Sequence, residues 1–242
     1  GRFDLLVADF AAQPKSLYHN EGAVFSQASY PSGVGGATTG FLAFGAAFVD
    51  ADNDGRPDIV FTNGHVLSQV DLTDRVQTYA QPTQILHNIG GKFEDISAHA
   101  GADFRRKIVG RGIAIGDYDG DGREDLLLVD DEGAPLLLHN DSPPTNHWIT
   151  LKCTLRAGGT DAVGARVTLS AGGRKLIGEV RASGSYLSTN APEVHFGLGA
   201  SRVVDTLEVR WPDGRTSHIP SVTADRAYRL SPGDATVTPI GP

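Results

Sequence analysis

The feature that most constrains this chain is an acidic pattern that occurs twice. "DADNDGRPD" begins at Asp50 and "DYDGDGRED" at Asp117, and both read D-x-D-x-D-G-x-x-D. The likeness runs past the loops. "FGAAFVDADNDGRPDIVF" from Phe44 aligns without gaps on "RGIAIGDYDGDGREDLLL" from Arg111, an offset of 67 (111 less 44). Self-similarity at a fixed period is the mark of a repeat architecture, so both copies must fold alike.

Each unit carries a second signature. "LYHN" from Leu17 and "LHN" from Leu86 place His19-Asn20 over His87-Asn88 and Phe25 over Phe93, and a third "LHN" falls at Leu138-His139-Asn140. The intervening segments "AAFV", "PDIVF", "GIAIG", "EDLLLV" and "PLLLH" are short apolar runs bounded by Gly, Asp and Asn. Such runs read as buried strands. Copies lie between 52 (139 less 87) and 68 (87 less 19) residues apart, room for about four strands each, the size of a propeller blade. Residues 1–141 are therefore expected to form about two and a half to three blades of an all-β propeller. Rings close with about four to eight blades. Missing N-terminal blades or a partner chain are expected to complete this one.

The opening "GRFDLLVADF" resembles "GRPDIVFTNG" and "GREDLLLVDD", aligning Gly1 with Gly55 and Gly122, and Asp4 with Asp58 and Asp125. The sequence contains no methionine. A piece of a longer product is expected, with Asp4 an orphaned ligand that holds no ion.

The pattern changes at "DSPPTNHW". Pro143-Pro144 cannot continue a central strand, and 142–145 reads as a linker. Alternating segments follow: "HWITLKCTL", "GARVTLSAGG", "KLIGEVRAS", "VHFGLG", "VDTLEVRW", "GRTSHIP" and "RAYRLS", with hairpin-type turns at "AGGRK" and "WPDGRT". Residues 146–232 are expected to form a small β-sandwich or barrel-like domain, and 233–242 a loosely held tail.

The acidic loops carry the chemistry. Calcium takes six to eight oxygens, and aspartates at positions 1, 3 and 5 of a curled loop turn alternate side chains toward one point. Glycine at position 6 permits the bend, position 7 offers its carbonyl and position 9 closes the cage. The expected ligands are Asp50, Asp52, Asp54, Arg56 (carbonyl) and Asp58 in one loop. Asp117, Asp119, Asp121, Arg123 (carbonyl) and Asp125 are expected in the other. Both arginine side chains are expected to face outward. An EF-hand begins the same way but needs flanking helices and a glutamate at position 12. Position 12 is Phe61 or Leu128, each in a strand-like run. Two strand-loop-strand Ca2+ sites are expected. Magnesium fits less well, because it favours a smaller octahedron with retained waters.

Charge agrees. The net charge is −8, and 29 acidic residues less the eight loop aspartates equals the 21 basic ones. Binding nucleic acid by phosphate neutralisation is excluded as a function class. No apolar run approaches the ~20 residues of a transmembrane helix. The single cysteine, Cys153, reads as a buried small hydrophobe. His19, His87 and His139 read as blade packing, His147 and His195 as hydrogen-bonded strand residues, and Trp148 and Trp211 as core anchors of the second domain. The basic "RRK" at Arg105–Lys107 reads as a solvated loop. No G-x-S-x-G context supports a catalytic triad.

These motifs resemble the FG-GAP (VCBS-type) calcium-binding propeller repeats, and "FGAAFVDADNDGRPDIVFTNGHV" is similar to the version in cartilage-acidic-protein-like proteins. "GARVTL", "SYLSTN", "VHFGLG" and "VRWPDG" resemble the ASPIC/UnbV domain that follows such repeats. Where that pattern often has an Asp and an Arg, this chain has Ala191 and Glu193. The resemblance implies a secreted, periplasmic or cell-surface protein, of a family described as candidates for adhesion or matrix interaction with no established reaction. A non-enzymatic calcium-binding module with a protein or carbohydrate ligand is expected. The alternatives are an enzyme whose propeller channel is lined by His65 or Arg111, and a processed subunit of a larger assembly.

Overall fold

The structure, a computed structural model, describes residues 2–241. The alignment of Gly1 lies outside the described residues. The apolar runs form antiparallel sheets. β1 (Leu5–Val7), β2 (Ser16–Asn20) and β3 (Phe25–Gln27) make the first, in that order. β4 (Ala43–Val49) and β5 (Asp58–Asn63) follow, then β6 (Gln81–Pro82), β7 (Gln84–Ile89) and β8 (Lys92–Asp95). The second sheet has the order β4-β5-β7-β8. β9 (Lys107–Ile108), β10 (Gly110–Gly116), β11 (Asp125–Asp130) and β12 (Leu136–Leu138) come next. The third sheet is β10-β11-β12, and β6 pairs with β9 to tie the second sheet to the third.

These sheets stack like propeller blades, with an apolar wedge in each gap. Leu17, Ile59, Phe61, Leu86 and Phe93 fill the first gap. Val60, Ile85, Ile113, Leu126 and Leu128 fill the second. β5 is buried at every position because neighbours cover both of its faces. Its apolar run is therefore continuous instead of alternating.

The register repeats as the sequence does. Leu5 pairs with Tyr18, Ile59 with Leu86 and Leu126 with Leu138. The residue before each first member is Asp4, Asp58 or Asp125, and the residue after each second member is a histidine.

The second domain is a two-sheet sandwich. Its strands are β13 (His147–Cys153), β14 (Arg166–Ala171), β15 (Arg174–Glu179), β16 (Val194–Gly199), β17 (Val203–Arg210), β18 (Thr216–Thr223), β19 (Arg226–Leu230) and β20 (Thr238–Ile240). One sheet runs β16-β13-β19-β20 and the other β15-β14-β17-β18. Ile149, Leu151, Val167, Leu169, Leu198, Leu207 and Trp211 fill the space between them. Trp211 also donates Nε1–H to Ser217 Oγ at 2.9 Å. Burial pushes the Cys153 thiol up to about 12, so this inert side chain packs as a hydrophobe.

Two expectations change. Trp148 is not a core anchor: successive residues of β13 point to opposite faces, and Ile149, Leu151 and Cys153 take the inner one. Trp148 instead covers the second acidic loop, where a Cβ added to Gly122 would lie 1.8 Å from the indole. The tail is not loose either. β20 pairs with β19 at an edge, the one place where Pro239, lacking an N–H, fits a ladder.

The sandwich grips the blades along one continuous stretch. Ala46 N–H donates to Ser185 Oγ at 2.9 Å and Ile115 N–H to Asn190 Oδ1 at 3.1 Å. Farther along, β16 lies on the first acidic loop. A Cβ on Gly197 would stand 2.1 Å from Asp50 Oδ2 and 2.5 Å from the Asn53 backbone. No helix among the described residues is long and apolar enough to cross a membrane.

Gly197→Ala is expected to cost about 1–3 kcal/mol by overpacking, read as a fall of several degrees in melting temperature. Gly36→Ala, where nothing lies within 4 Å, is expected to leave melting unchanged or raise it.

Candidate metal centre

The shared register brings each closing aspartate against an L-H-N segment. Asp58 Oδ1 accepts from Asn88 N–H at 2.7 Å and sits 3.0 Å from His87 Nδ1. Asp125 Oδ1 does the same with Asn140 N–H at 2.8 Å and His139 Nδ1 at 3.1 Å. Asp4 Oδ1 repeats it with Asn20 N–H at 2.8 Å and His19 Nδ1 at 3.1 Å. The histidines thus do more than pack blades: with the asparagine amides they aim the closing carboxylate. The second oxygen turns to the loop, where Asp125 Oδ2 accepts from Tyr118 N–H at 3.1 Å.

The loops curl as the pattern requires. In the first, Asp50 Oδ2 accepts from Gly55 N–H at 2.8 Å and Asp54 Oδ1 from Arg56 N–H at 2.8 Å. In the second, Asp117 Oδ2 accepts from Gly122 N–H at 2.8 Å and Asp121 Oδ1 from Arg123 N–H at 2.9 Å. Gly55 and Gly122 hold φ of 81° and 85° at position 6. This left-handed region favours glycine. Position 12 falls in β5 or β11, so neither loop is an EF-hand.

Asp50, Asp52 and Asp54 offer oxygens within 4.8 Å of one another, as do Asp117, Asp119 and Asp121. Asp119, Asp125 and His139 form a further such group, which links the second loop to its closing aspartate. The test of fit lies at Asp50. Its Oδ1 is buried with no hydrogen-bond partner, a state otherwise seen among the described residues only at Asn63 Oδ1. Burial pushes the Asp50 carboxyl up to about 7 against the bond from Gly55, helped by the charges of Asp54, Asp52 and Asp58. Burial also raises Asp58 and Asp117. A divalent cation answers both problems, an unpaired oxygen and uncompensated charge. The aspartate donors of both loops are hard oxygens, which suit calcium.

The arginines at position 7 depart from expectation. The Arg56 guanidinium folds back onto Asp54, and that of Arg123 onto Asp121, instead of facing outward. Crowded carboxylates attract the nearest cation, and here it comes from the loop itself.

Several residues drawn into the site gave no signal as ligands in the sequence. Asn53, at position 4, has φ 59° and is buried. Its Nδ2 donates to Gly122 O at 2.9 Å and its Oδ1 lies 2.7 Å from His195 Nε2. Glu124 sits beside Asp50, its carboxyl pushed up to about 8 by burial and then by the Asp50 charge. His195 is held neutral, with burial lowering it to about 4. A position-4 asparagine where the other loop has Gly120 was the one visible hint.

The enzyme candidates are committed elsewhere. His65 is buried with Nδ1 accepting from Leu67 N–H at 3.0 Å. Arg111 donates to the carbonyls of Gly64 and His65, each at 3.2 Å, and pairs with Asp131 at 3.3 Å. The "RRK" run is exposed but is not a loop throughout. Arg105 ends a 3-10 turn (Asp103–Arg105) and donates to Ala98 O at 3.0 Å, and Lys107 begins β9. His147 pairs with Asp225 at 2.7 Å.

The chain is similar to several known proteins. Residues 156–237 match the family described as ASPIC and UnbV. Cartilage acidic protein 1 from Xenopus tropicalis is 27% identical over 222 residues, covering 71% of this chain and 34% of that protein. The Homo sapiens and Mus musculus proteins of the same name are each 34% identical over 112 residues, covering 44% of this chain. The chain spans about a third or less of the length of these relatives, 34% in the frog protein and 16% in the human one. A crystal structure of a candidate cell adhesion protein from Bacteroides ovatus aligns over 100% of this chain and 97% of its own, at 16% identity and a TM-score of 0.28. The fold assignment rests on the sheet topology alone.

A pH dependence follows from the buried acids. Asp50 and Glu124 keep protons in the cation-free folded state that they release when unfolded. Their folding contribution is therefore lost as pH rises from about 4 toward 7 and 8. His195, lowered to about 4, acts in the opposite sense only below its ordinary value of 6.5. Between pH 6.5 and 8 the calcium-free protein is expected to lose a few degrees of melting temperature, on the order of 2 kcal/mol. Saturating calcium is expected to abolish that loss, and Asp50→Asn to reduce it. Thermal scans across this range check both.

Proposed function

We propose that this chain is a calcium-stabilised, non-enzymatic interaction module of a secreted, periplasmic or cell-surface protein. In this reading its three sheets are FG-GAP-type blades, and further blades or a partner chain complete the ring. The observation that carries the reading is the unpartnered, buried Asp50 Oδ1 at the focus of three converging aspartates. The repeat of that focus at Asp117, Asp119 and Asp121 adds to it. The residues that would hold the ions are Asp50, Asp52, Asp54 and Asp58, and Asp117, Asp119, Asp121 and Asp125. The carbonyls of Arg56 and Arg123 are assigned as the position-7 ligands.

The ions act by linkage. A cation bound only to the folded form stabilises by RT ln(1 + [L]/Kd), about 2.7 kcal/mol per site at a hundredfold excess over Kd. Millimolar extracellular calcium would fill sites of modest affinity, which favours an extracellular setting. Adhesion is the proposed role, and the ligand class is protein or carbohydrate. A cleft of about 1740 Å³ between blades and sandwich, lined by Asp117, Asp119, Glu124, Lys152 and Glu193 among others, offers such a ligand a mixed-charge wall.

Removal of calcium by EGTA is expected to lower the melting temperature by several degrees, with magnesium unable to restore it. A melting curve identical in EGTA and in calcium would remove the calcium reading.

A further inference from the structure

The two acidic loops share a sequence pattern but not an environment. Four consecutive carbonyls of the first loop are capped by groups from the end of the third sheet, the linker and the sandwich. Ala51 O accepts from Asn140 Nδ2 at 2.9 Å, and Asp52 O from Asn146 Nδ2 at 2.8 Å. Asn53 O accepts from Gly199 N–H at 2.9 Å, and Asp54 O from Arg174 Nη1 at 2.6 Å. Asn140 and Asn146 flank the Pro143-Pro144 linker, while Gly199 and Arg174 belong to the sandwich. In the second loop the corresponding residues are Tyr118, Asp119, Gly120 and Asp121. None of their carbonyls has such a cap among the described residues, and a Cβ on Gly120 would meet nothing within 4 Å.

Asn53 is the hub of the asymmetry. Its Nδ2 reaches the second loop at Gly122 O, which leaves Oδ1 as the acceptor toward His195. His195 Nε2 must therefore carry the proton, and Nδ1 accepts from Thr150 Oγ1 at 2.9 Å. The His195 ring also stacks on Trp148, 6.0 Å between centroids, and Trp148 covers Gly122. One side chain thus joins both loops to the sandwich.

We propose that the sandwich is the missing half of the first cation site, with Asn53 the positioning residue through which ion binding and sandwich docking are coupled. The second site lacks these carbonyl caps and meets the sandwich through Trp148 beside Gly122, so its coupling is the weaker one. The proposal rests on the calcium reading above. Capping the carbonyls from outside holds the backbone in the curl that turns Asp50, Asp52 and Asp54 inward. Linkage makes the effect reciprocal: whatever undocks the sandwich weakens the first site, and loss of that ion loosens docking.

The test uses the full chain in two backgrounds. Asp119→Ala with Asp121→Ala isolates the first site, and Asp52→Ala with Asp54→Ala isolates the second. Calcium alone is titrated by calorimetry, and docking is read as protection of the 141–146 linker from limited proteolysis. Asn53→Gly keeps the left-handed backbone accessible and removes only the side chain. It is expected to weaken the first site about five- to a hundredfold and the second, which loses only the bond at Gly122 O, by much less. His195→Leu is expected to act in the same direction, and His195→Gln, which keeps a donor, to recover part of the loss. Calcium is expected to protect the linker only where the first site is intact. Equal affinity in Asn53→Gly and the unmodified chain, equal weakening of both sites, or calcium-independent cleavage would overturn the coupling while leaving calcium binding standing. Absence of calcium binding in either background would overturn the calcium reading and the coupling together.

Discussion

Four carboxylates folded into nine residues repel one another, and how the molecule disposes of that repulsion organises the rest of the structure. Backbone amides bond at least one oxygen of each loop aspartate, and arginine guanidiniums fold back onto Asp54 and Asp121. These contacts do not suffice at Asp50, whose Oδ1 is buried and unpaired. Burying such a group uncompensated costs several kcal/mol. At the first loop these contacts therefore leave one buried oxygen and its charge uncompensated.

The strand register delivers the rest. A histidine and an asparagine, inside β2 and β7 and just past β12, bond to the aspartate at the start of the paired strand in three successive sheets. The L-H-N motif and the acidic loop are therefore one device split across a ladder. Because the ladder is antiparallel, residues about 14 to 30 apart in sequence meet at its end. Blade packing follows from the same register, since Ile59, Leu86, Leu126 and Leu138 turn into the gaps between sheets.

The sandwich is more than an appended domain. Its loop around Ser185–Asn190 supplies hydrogen-bonding partners to the backbone of β4 and β10, and β16 closes over the first loop. Gly197 lets that approach happen, because any side chain there would strike Asp50. Blades and sandwich therefore share a polar interface built around a candidate ion site.

Much of this was legible in the residues alone. Repetition of D-x-D-x-D-G-x-x-D located both loops, and short apolar runs located the blade strands, because both signals are local. Alternation in "HWITLKC" also showed which face of β13 is buried, although assigning Trp148 to the core ignored that very alternation. What lay beyond the sequence was long-range. The environment of Asn53 depends on residues near 122, 195 and 199, and no local pattern states that distance. The edge pairing of the tail and the inward fold of the arginines are likewise settled by neighbours remote in sequence or by local charge. The chain by itself determined that there are two carboxylate cradles. Only the tertiary structure decided that one has its carbonyls capped by the linker and sandwich while the other does not, because those caps come from residues far along the chain.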